Sequence, residues 1–237
     1  YWSMRKYLKQ FLMDKRVVDI FRPLWWLILN GPILTFRPSK SGKAYQKIWD
    51  KENYGSPLRK FTINQTSKIK KIFKNYKNIS IDYAMRYGTP EIEKTLNKMT
   101  EKGCSKILLV PLYPQYAAST SATVKDEVFK WMLKQRWQPD LRTIAPWFDD
   151  QLYIKALAET IKKNIINKKN LDKLVVSFHG IPKRYFMAGD PYHCHCIKTA
   201  RLLKEELKWP DDKILVTFQS RFGPEPWLQP YTDETII

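Results

Sequence analysis

The sequence predicts an α/β protein with a parallel, doubly wound sheet. Two observations predict this class: strand and helix patterns alternate from residue 60 onward, and several strand segments are short apolar runs such as residues 107–110. Alternation of this kind is typical of βαβ units, and continuous apolar runs are typical of strands covered on both faces. In such sheets, ligands bind beyond the carboxyl ends of the strands, so the loops that follow them are the first place to look for function.

Each predicted element has its own signal. Strands are expected at six segments, several of which are short apolar runs: 60–64, 79–85, 106–112, 141–145, 173–178 and 213–218. Helices are expected where apolar residues recur at spacings of three or four: 69–76, 92–99, 124–132, 153–165 and 197–207. A polar Asn/Lys segment near residues 165–172 predicts a boundary between a first domain at 1–165, with an apolar lip segment, and the start of a second at 166–237.

Composition narrows the class of protein. With 237 residues, 43% of them hydrophobic and 27% charged, the chain has enough apolar residues for a core and is unlike disordered sequences. The net charge of +19 favours acidic partners, such as nucleic acid or an anionic surface. The lysines are scattered over helical faces, however, and no nucleic-acid-binding motif accompanies them. A solvated surface is the simpler interpretation, and no nucleic-acid partner is predicted.

Three cysteines do not make a secreted disulfide framework, and there is no signal peptide, so a cytoplasmic location is predicted. The longest apolar run, residues 23–29, is far shorter than the ~20 residues that span a bilayer. The stretch from Trp25 to Leu29 allows three interpretations: a buried helix, the lip of a pocket, or an edge in peripheral contact with a membrane. The chain begins without Met inside a predicted helix, so truncation at both ends is expected.

Polar and aromatic residues follow three of the predicted strands. His179 ends an apolar strand, where a neutral imidazole could bind a divalent metal or accept a proton; a structural histidine is the alternative. Trp227 follows a second strand and could form a flat wall for a planar ligand, or could simply pack on its own domain. Arg86, after a third strand, could hold a carboxylate in a bidentate pair or serve as a structural ion-pair partner.

Two further features carry weaker signals. The small hydroxyl residues at 117–121 are typical of a helix start. Residues 193–196, His-Cys-His-Cys, resemble a metal site, but neighbours on a helix cannot all face one ion. An iron–sulfur cluster usually needs four protein ligands, and Cys104 is the only further thiol, so such a cluster is not expected from the residues present.

Taken together, the loop motifs resemble the ferrochelatase family, and closely its bacterial branch. The similarity extends from near residue 1 to residue 237. The motifs, in chain order, are GSPL at 55–58, MRYG at 85–88, LYPQY at 112–116, SFHGIP at 177–182, GDPY at 189–192, TFQSRFG at 217–223 and PWLQPYTD at 226–233.

The resemblance implies two Rossmann-like, chelatase-type domains, incomplete here, with a porphyrin cleft between them. It implies a lyase that inserts Fe²⁺ into protoporphyrin IX to form protohaem, with both molecules as substrates and no cofactor required. His179 would be the catalytic and metal-binding residue, and Arg37 a partner of a propionate. The remaining porphyrin-binding residues implied are Ser56, Arg86, Tyr87, Tyr113 and Trp227.

The sequence departs from the family pattern at both ends. Family members begin with a strand and a Gly-containing loop, and they carry a glutamate opposite the histidine in a segment beyond residue 237. Glu225 and Glu234 lie in other motifs and do not replace that glutamate. The missing glutamate leaves open a porphyrin- or haem-binding protein without catalysis. A related cobalt or nickel tetrapyrrole chelatase is a second alternative, because the resemblance extends to relatives that insert those metals.

Overall fold

The computed structural model describes residues 1–50, 55–165 and 171–236. It is a mixed structure of helices and parallel strands that divides into two compact units. Unit 1 comprises Tyr1–Leu109 and Ala122–Thr143, and unit 2 comprises Val110–Ser121 and Ile144–Ile237. The boundary predicted near residues 165–172 falls largely outside the described residues and stays a prediction.

Unit 1 contains one parallel strand pair and several helices. Strands β1 (Lys106–Leu109) and β2 (Asp140–Thr143) pair with Lys106 opposite Asp140. A π-helical stretch at Leu29–Ile33 joins the second helix to the third. The helices are α1 (Trp2–Leu12), α2 (Arg22–Ile28), α3 (Leu34–Gln46), α4 (Pro57–Ile72), α5 (Ile92–Glu101) and α6 (Thr123–Lys134).

Unit 2 is built around a second parallel pair. Strands β3 (Leu174–His179) and β4 (Ile214–Gln219) run in register over six residues, from Leu174 opposite Ile214 to His179 opposite Gln219. A short 3₁₀ turn at Asp211–Lys213 precedes β4. The helices are α7 (Gln151–Ile165), α8 (Lys183–Met187), α9 (Tyr192–Leu207) and α10 (Thr232–Thr235).

Apolar side chains form separate clusters within each unit. In unit 1 one cluster joins α1, α2 and α3, and another packs α5 and α6 against β1. In unit 2 one cluster packs α7 and α9 beside the strands, and another lies under the loops that follow β3 and β4. The buried centres of the four clusters are, in that order, Leu8, Trp25, Leu29 and Leu34; Leu96, Ile107, Val128 and Trp131; Ala158, Leu203 and Leu207; and Ile181, Cys196, Phe218 and Leu228.

Four of the six predicted strands are confirmed, and two predictions are wrong. Residues 60–64 lie inside α4, because the Ser56 hydroxyl caps the helix and Pro57 occupies its first turn. Residues 79–85 form no strand; only Met85 makes an isolated bridge, to Glu91. The predicted segment 106–112 ends at Leu109, shortly before Pro111, which has no N–H to donate to a ladder.

The expectation that the strands are covered on both faces is also wrong for β3. Its residues alternate between partly buried and exposed, with Val175, Ser177 and His179 on the exposed face. Within the described residues the sheet has two strands, and the α7 and α9 cluster contacts Leu174 and Val176 on the other face. One face therefore carries the packing, and His179 lies on the opposite one.

Across the part of the chain that the structure describes, no helix combines the length and the apolar character needed to cross a bilayer.

Candidate functional site

His179 is the last residue of β3, and its imidazole is exposed. The Nδ1 atom lies 2.7 Å from the carbonyl oxygen of Gly180. A carbonyl oxygen can only accept a hydrogen bond, so we assign the ring hydrogen to Nδ1. Nε2 then carries the lone pair, and this is the tautomer that can bind a metal ion or accept a proton.

The loops after β3 and β4 are joined by backbone hydrogen bonds. Lys183 donates to the carbonyl of Pro226 at 2.9 Å, and Leu228 donates to the carbonyl of Ile181 at 3.0 Å. These bonds flank an isolated antiparallel bridge between Pro182 and Trp227. The two loops therefore form one rigid rim at the carboxyl end of the strand pair.

Trp227 is held within this rim at both of its N–H groups. Its indole Nε1 donates to the carbonyl of Phe222 at 2.9 Å, and its backbone nitrogen lies 3.3 Å from the Tyr231 hydroxyl. A Cβ on Gly180 would lie 3.3 Å from Trp227 Cε3 and 3.1 Å from the Gln219 carbonyl oxygen. The absence of a side chain at residue 180 thus lets the indole approach the backbone next to His179, and the structure brings these two predicted residues together.

Three hydroxyl side chains support the rim; they lie within the motifs quoted above, but no role was predicted for them. The Thr232 hydroxyl, on α10, lies 2.9 Å from the Ser177 hydroxyl and donates to the Thr217 hydroxyl at 2.8 Å. Arg221 reaches the same helix through ion pairs with Asp233 and Glu234 at 2.9 and 2.8 Å. A signal was present in the sequence, since Ser177 and Thr217 occupy equivalent positions in the two strands.

Tyr113 lies in the loop that follows β1, and the residue is 38% exposed. The residues after it are bound to the start of α9. The Tyr116 amide donates to Nδ1 of His195 at 3.1 Å, and the Ala118 amide donates to the Asp190 carboxylate at 2.7 Å. The loop that carries Tyr113 is therefore anchored by side chains of the GDPY region and of α9.

The His-Cys-His-Cys segment forms the start of α9 and points in several directions. His195 stacks on Phe148, with ring centroids 3.7 Å apart, and burial lowers the pKa of its imidazole. Cys196 is fully buried, and burial raises the pKa of its thiol to about 12, whereas Cys194 is exposed. Among the described residues, no group of three or more His, Cys, Asp or Glu side chains could hold a metal ion.

Arg86 and Tyr87 lie in unit 1 and contact the end of α1. The Arg86 guanidinium pairs with Asp14 at 2.5 Å and with Glu127 at 3.4 Å, and it lies over the Tyr87 ring at 4.4 Å. The Tyr87 hydroxyl donates to the same Asp14 carboxylate at 3.0 Å. Burial, followed by the Asp14 charge, raises the pKa of Tyr87, so its hydroxyl stays protonated. Of the two roles considered for Arg86, this geometry is that of an ion-pair partner.

The remaining predicted residues lie on or beside α3 and α4. Ser56 is half-buried at the start of α4, where its hydroxyl accepts a hydrogen bond from the Arg59 amide at 3.3 Å. Arg37 is exposed on α3, in an open groove of about 640 Å³. The groove is lined by Pro32, Ile33, Phe36, Arg37, Lys40, Ser41 and Ala44.

These observations define a mixed helix and parallel-sheet protein with an exposed, pre-oriented histidine at the end of a strand. The family model described as Ferrochelatase matches residues 1–237. The chain belongs to the ferrochelatase family.

Curated relatives agree with this assignment. The Ferrochelatase of Allorhizobium ampelinum is 54% identical over 237 residues, which are 100% of this chain and 69% of that protein. The Ferrochelatase of Rhizobium meliloti is 53% identical over 99% of this chain and 69% of its own length, and that of Marinobacter nauticus is 48% identical over 99% and 63%. Among solved structures, SirB from Bacillus subtilis with Fe3+ aligns with 69% of this chain and 62% of its own, at 19% identity and a TM-score of 0.49.

Proposed function

We propose that this chain carries the activity for which its relatives are named, the insertion of Fe²⁺ into protoporphyrin IX to form protohaem, as an enzyme of the lyase class. The relatives named Ferrochelatase, about half identical over the whole chain, support this activity. The structural observation that carries the proposal is the His179 imidazole, exposed at the end of β3 with its Nδ1 hydrogen engaged by Gly180.

The chemistry of metal insertion suits this imidazole. Two pyrrole N–H protons must leave the macrocycle as the metal ion enters, and both porphyrin and Fe²⁺ are substrates. The Nε2 lone pair of His179 can accept a proton or hold the ion during transfer. The fixed indole of Trp227 offers a rigid wall, and a rigid wall can favour a bent macrocycle over a flat one, which is differential binding of a transition-state-like geometry.

Residues of unit 1 are proposed to bind the porphyrin periphery. The groove on α3 combines apolar side chains with Arg37 and Lys40, a combination that suits an apolar ring bearing a propionate. We further propose Ser56 and Tyr87 as porphyrin contacts, with Arg86 acting through Tyr87. Tyr113, which belongs to unit 2, is proposed as another porphyrin contact. We also propose that the full-length protein contains two Rossmann-like domains of the chelatase type and that it is cytoplasmic.

A peripheral membrane contact is proposed for α2. Trp25 of α2 is 5% exposed, and Leu29, at the start of the π-helical stretch that follows, is fully buried, so one face of this segment packs on α1 and α3. The other face leaves Leu24, Trp26 and Leu27 between 51% and 62% exposed. Exposed leucine and tryptophan side chains on one helical face are typical of interfacial helices.

The proposed function is tested with the full-length protein by measuring protohaem formation from protoporphyrin IX and Fe²⁺. We expect His179→Ala to lower kcat by about 10²–10⁴-fold, the usual contribution of a positioned proton acceptor, and added imidazole to restore part of the rate. Cys194→Ala, an exposed change on α9, serves as the control. Unimpaired turnover in the His179 variant would remove this residue from the mechanism.

The same assay separates the alternatives. Quenching of protoporphyrin fluorescence without metal insertion in the wild-type protein would favour a binding protein without catalysis. Faster insertion of Co²⁺ or Ni²⁺ than of Fe²⁺ would favour a related chelatase.

A further inference from the structure

Asp14, just beyond the end of α1, is the centre of a buried polar cluster in unit 1. Its carboxylate accepts hydrogen bonds from Arg86 Nη2 at 2.5 Å, from the Tyr87 hydroxyl at 3.0 Å and from the Arg16 amide at 2.9 Å. The Asp14 and Arg86 side chains are only 8% and 11% exposed. One carboxylate therefore binds both side chains of the Arg-Tyr pair in the MRYG motif.

The guanidinium of Arg86 is directed into the protein. Nη2 binds Asp14 and Nη1 lies 3.4 Å from Glu127, whereas Nε is buried and has no hydrogen-bond partner among the residues that the structure describes. Its donors are thus oriented toward groups of the chain itself and away from solvent. Arg86 is therefore engaged by acids of the chain itself, and it lies against one side of the half-buried Tyr87 ring.

Tyr87 is fixed on several sides. Its ring meets Phe11 edge-on, with centroids 5.2 Å apart, and its hydroxyl is bound by Asp14. The next residue, Gly88, donates its amide to the Gln10 side chain at 3.0 Å, which ties the same loop to α1 a second time. Asp14 differs from Phe11 and Gln10 because its carboxylate restrains both the Tyr87 hydroxyl and the neighbouring Arg86 guanidinium.

We propose that Asp14 is a positioning residue for porphyrin binding: it fixes the orientation of Tyr87, directly through the hydroxyl and indirectly through Arg86. The proposal rests on the proposed function, because Tyr87 is a porphyrin contact only if the chain binds porphyrin. A buried cation that loses its counter-charge rearranges toward solvent or toward another acid. Removing the Asp14 charge would therefore release Arg86 and loosen the Tyr87 ring at the same time.

The test is Asp14→Asn in the full-length protein, since the amide keeps an acceptor oxygen for the Tyr87 hydroxyl but loses the charge. We expect the porphyrin KM to rise about tenfold or more, with kcat changed by less than about threefold. The matched control is Asp126→Asn, which removes an acid paired with Arg16 at the surface, where side chains are 33% and 41% exposed. We expect the control to leave both constants unchanged.

A double-mutant cycle with Tyr87→Phe shows whether Asp14 acts through Tyr87. If it does, the double variant binds porphyrin no more weakly than the weaker single variant. Additive losses, an unchanged KM in Asp14→Asn, or an equal fall in kcat would overturn the proposal. If Asp14→Asn does not fold, Tyr87→Phe alone decides: an unchanged KM overturns the proposal and a raised one supports it.

Protoporphyrin fluorescence titration separates this proposal from the proposed function. A wild-type protein that binds porphyrin but inserts no metal would refute the function, and the dissociation constants of the same variants would still test Asp14. A wild-type protein that binds no porphyrin would overturn both.

Discussion

Replacing His195 by Phe tests how the loop that carries Tyr113 is held. The change keeps an aromatic ring in the stack on Phe148 but removes the Nδ1 acceptor of the Tyr116 amide, 3.1 Å away. Removing one partner of a hydrogen bond in a partly buried position costs about 1–3 kcal/mol. At ~2–4 °C per kcal/mol for a chain of this size, Tm is expected to fall by roughly 2–12 °C.

The same substitution is expected to change the pH dependence of stability. Burial lowers the pKa of His195, and Lys198 adds to this effect, whereas Asp149 and Asp190 oppose it. The unfolded chain therefore binds a proton at His195 more readily than the folded chain does. Its contribution to stability is complete above the ordinary histidine pKa of ~6.5 and is lost as the pH falls toward the lower folded value. His195→Phe should lack this loss.

Thermal melts of the wild type and the variant at pH 5, 6, 7 and 8 provide the measurement. His195→Asn is the matched control, because its side-chain oxygen can replace the Nδ1 acceptor while the ring stack is lost. The reasoning is refuted if the Tm difference between wild type and His195→Phe is absent at pH 8, or if it does not narrow as the pH falls.

Two further predictions concern buried side chains. Iodoacetamide at pH 8 should modify Cys194 but not Cys196 in the folded protein, because Cys196 is fully buried and the pKa of its thiol is raised to about 12. Alkylated Cys196 detected by peptide mass spectrometry before unfolding would contradict this prediction. Trp131→Phe should lower the free energy of unfolding by about 2–4 kcal/mol, because it leaves a void in the core and removes the 2.6 Å hydrogen bond to Asn97. Trp137→Phe, at a 60% exposed position, should lower it by less than about 0.5 kcal/mol, and equal denaturation midpoints for the two variants would contradict this.

The sequence predicted those parts of the fold that depend on local signals. Three of the four confirmed strands, β1, β3 and β4, are apolar runs bounded by turn residues, and the helix at 92–101 has the apolar spacing and terminal Gly103 that mark it. The segment at 60–64 alternates like a strand, yet its helix is decided by the cap at Ser56 and Pro57 several residues earlier. Local alternation is a weak signal when a strong helix start precedes it.

Site residues were predictable where they follow a strand and not where they depend on distant contacts. His179 could be chosen because parallel strands direct their carboxyl ends to ligands. The hydrogen bond from His179 to the Gly180 carbonyl fixes the tautomer, but it depends on the rotamer of the imidazole, and no sequence pattern predicts that rotamer. Asp14 was missed because its partner Arg86 is 72 residues away, and no local pattern links the two.

The pairing of β3 with β4 has a consequence for the orientation of the catalytic candidate. Side chains of a strand alternate between faces, so a shift of β3 by one residue would turn His179 to the packed side and bring Phe178 to the open one. The bonds between residues 181–183 and 226–228 allow no such slippage, because they lock the two strand ends at a single offset. Alignment of two short strands thus decides whether the imidazole faces solvent.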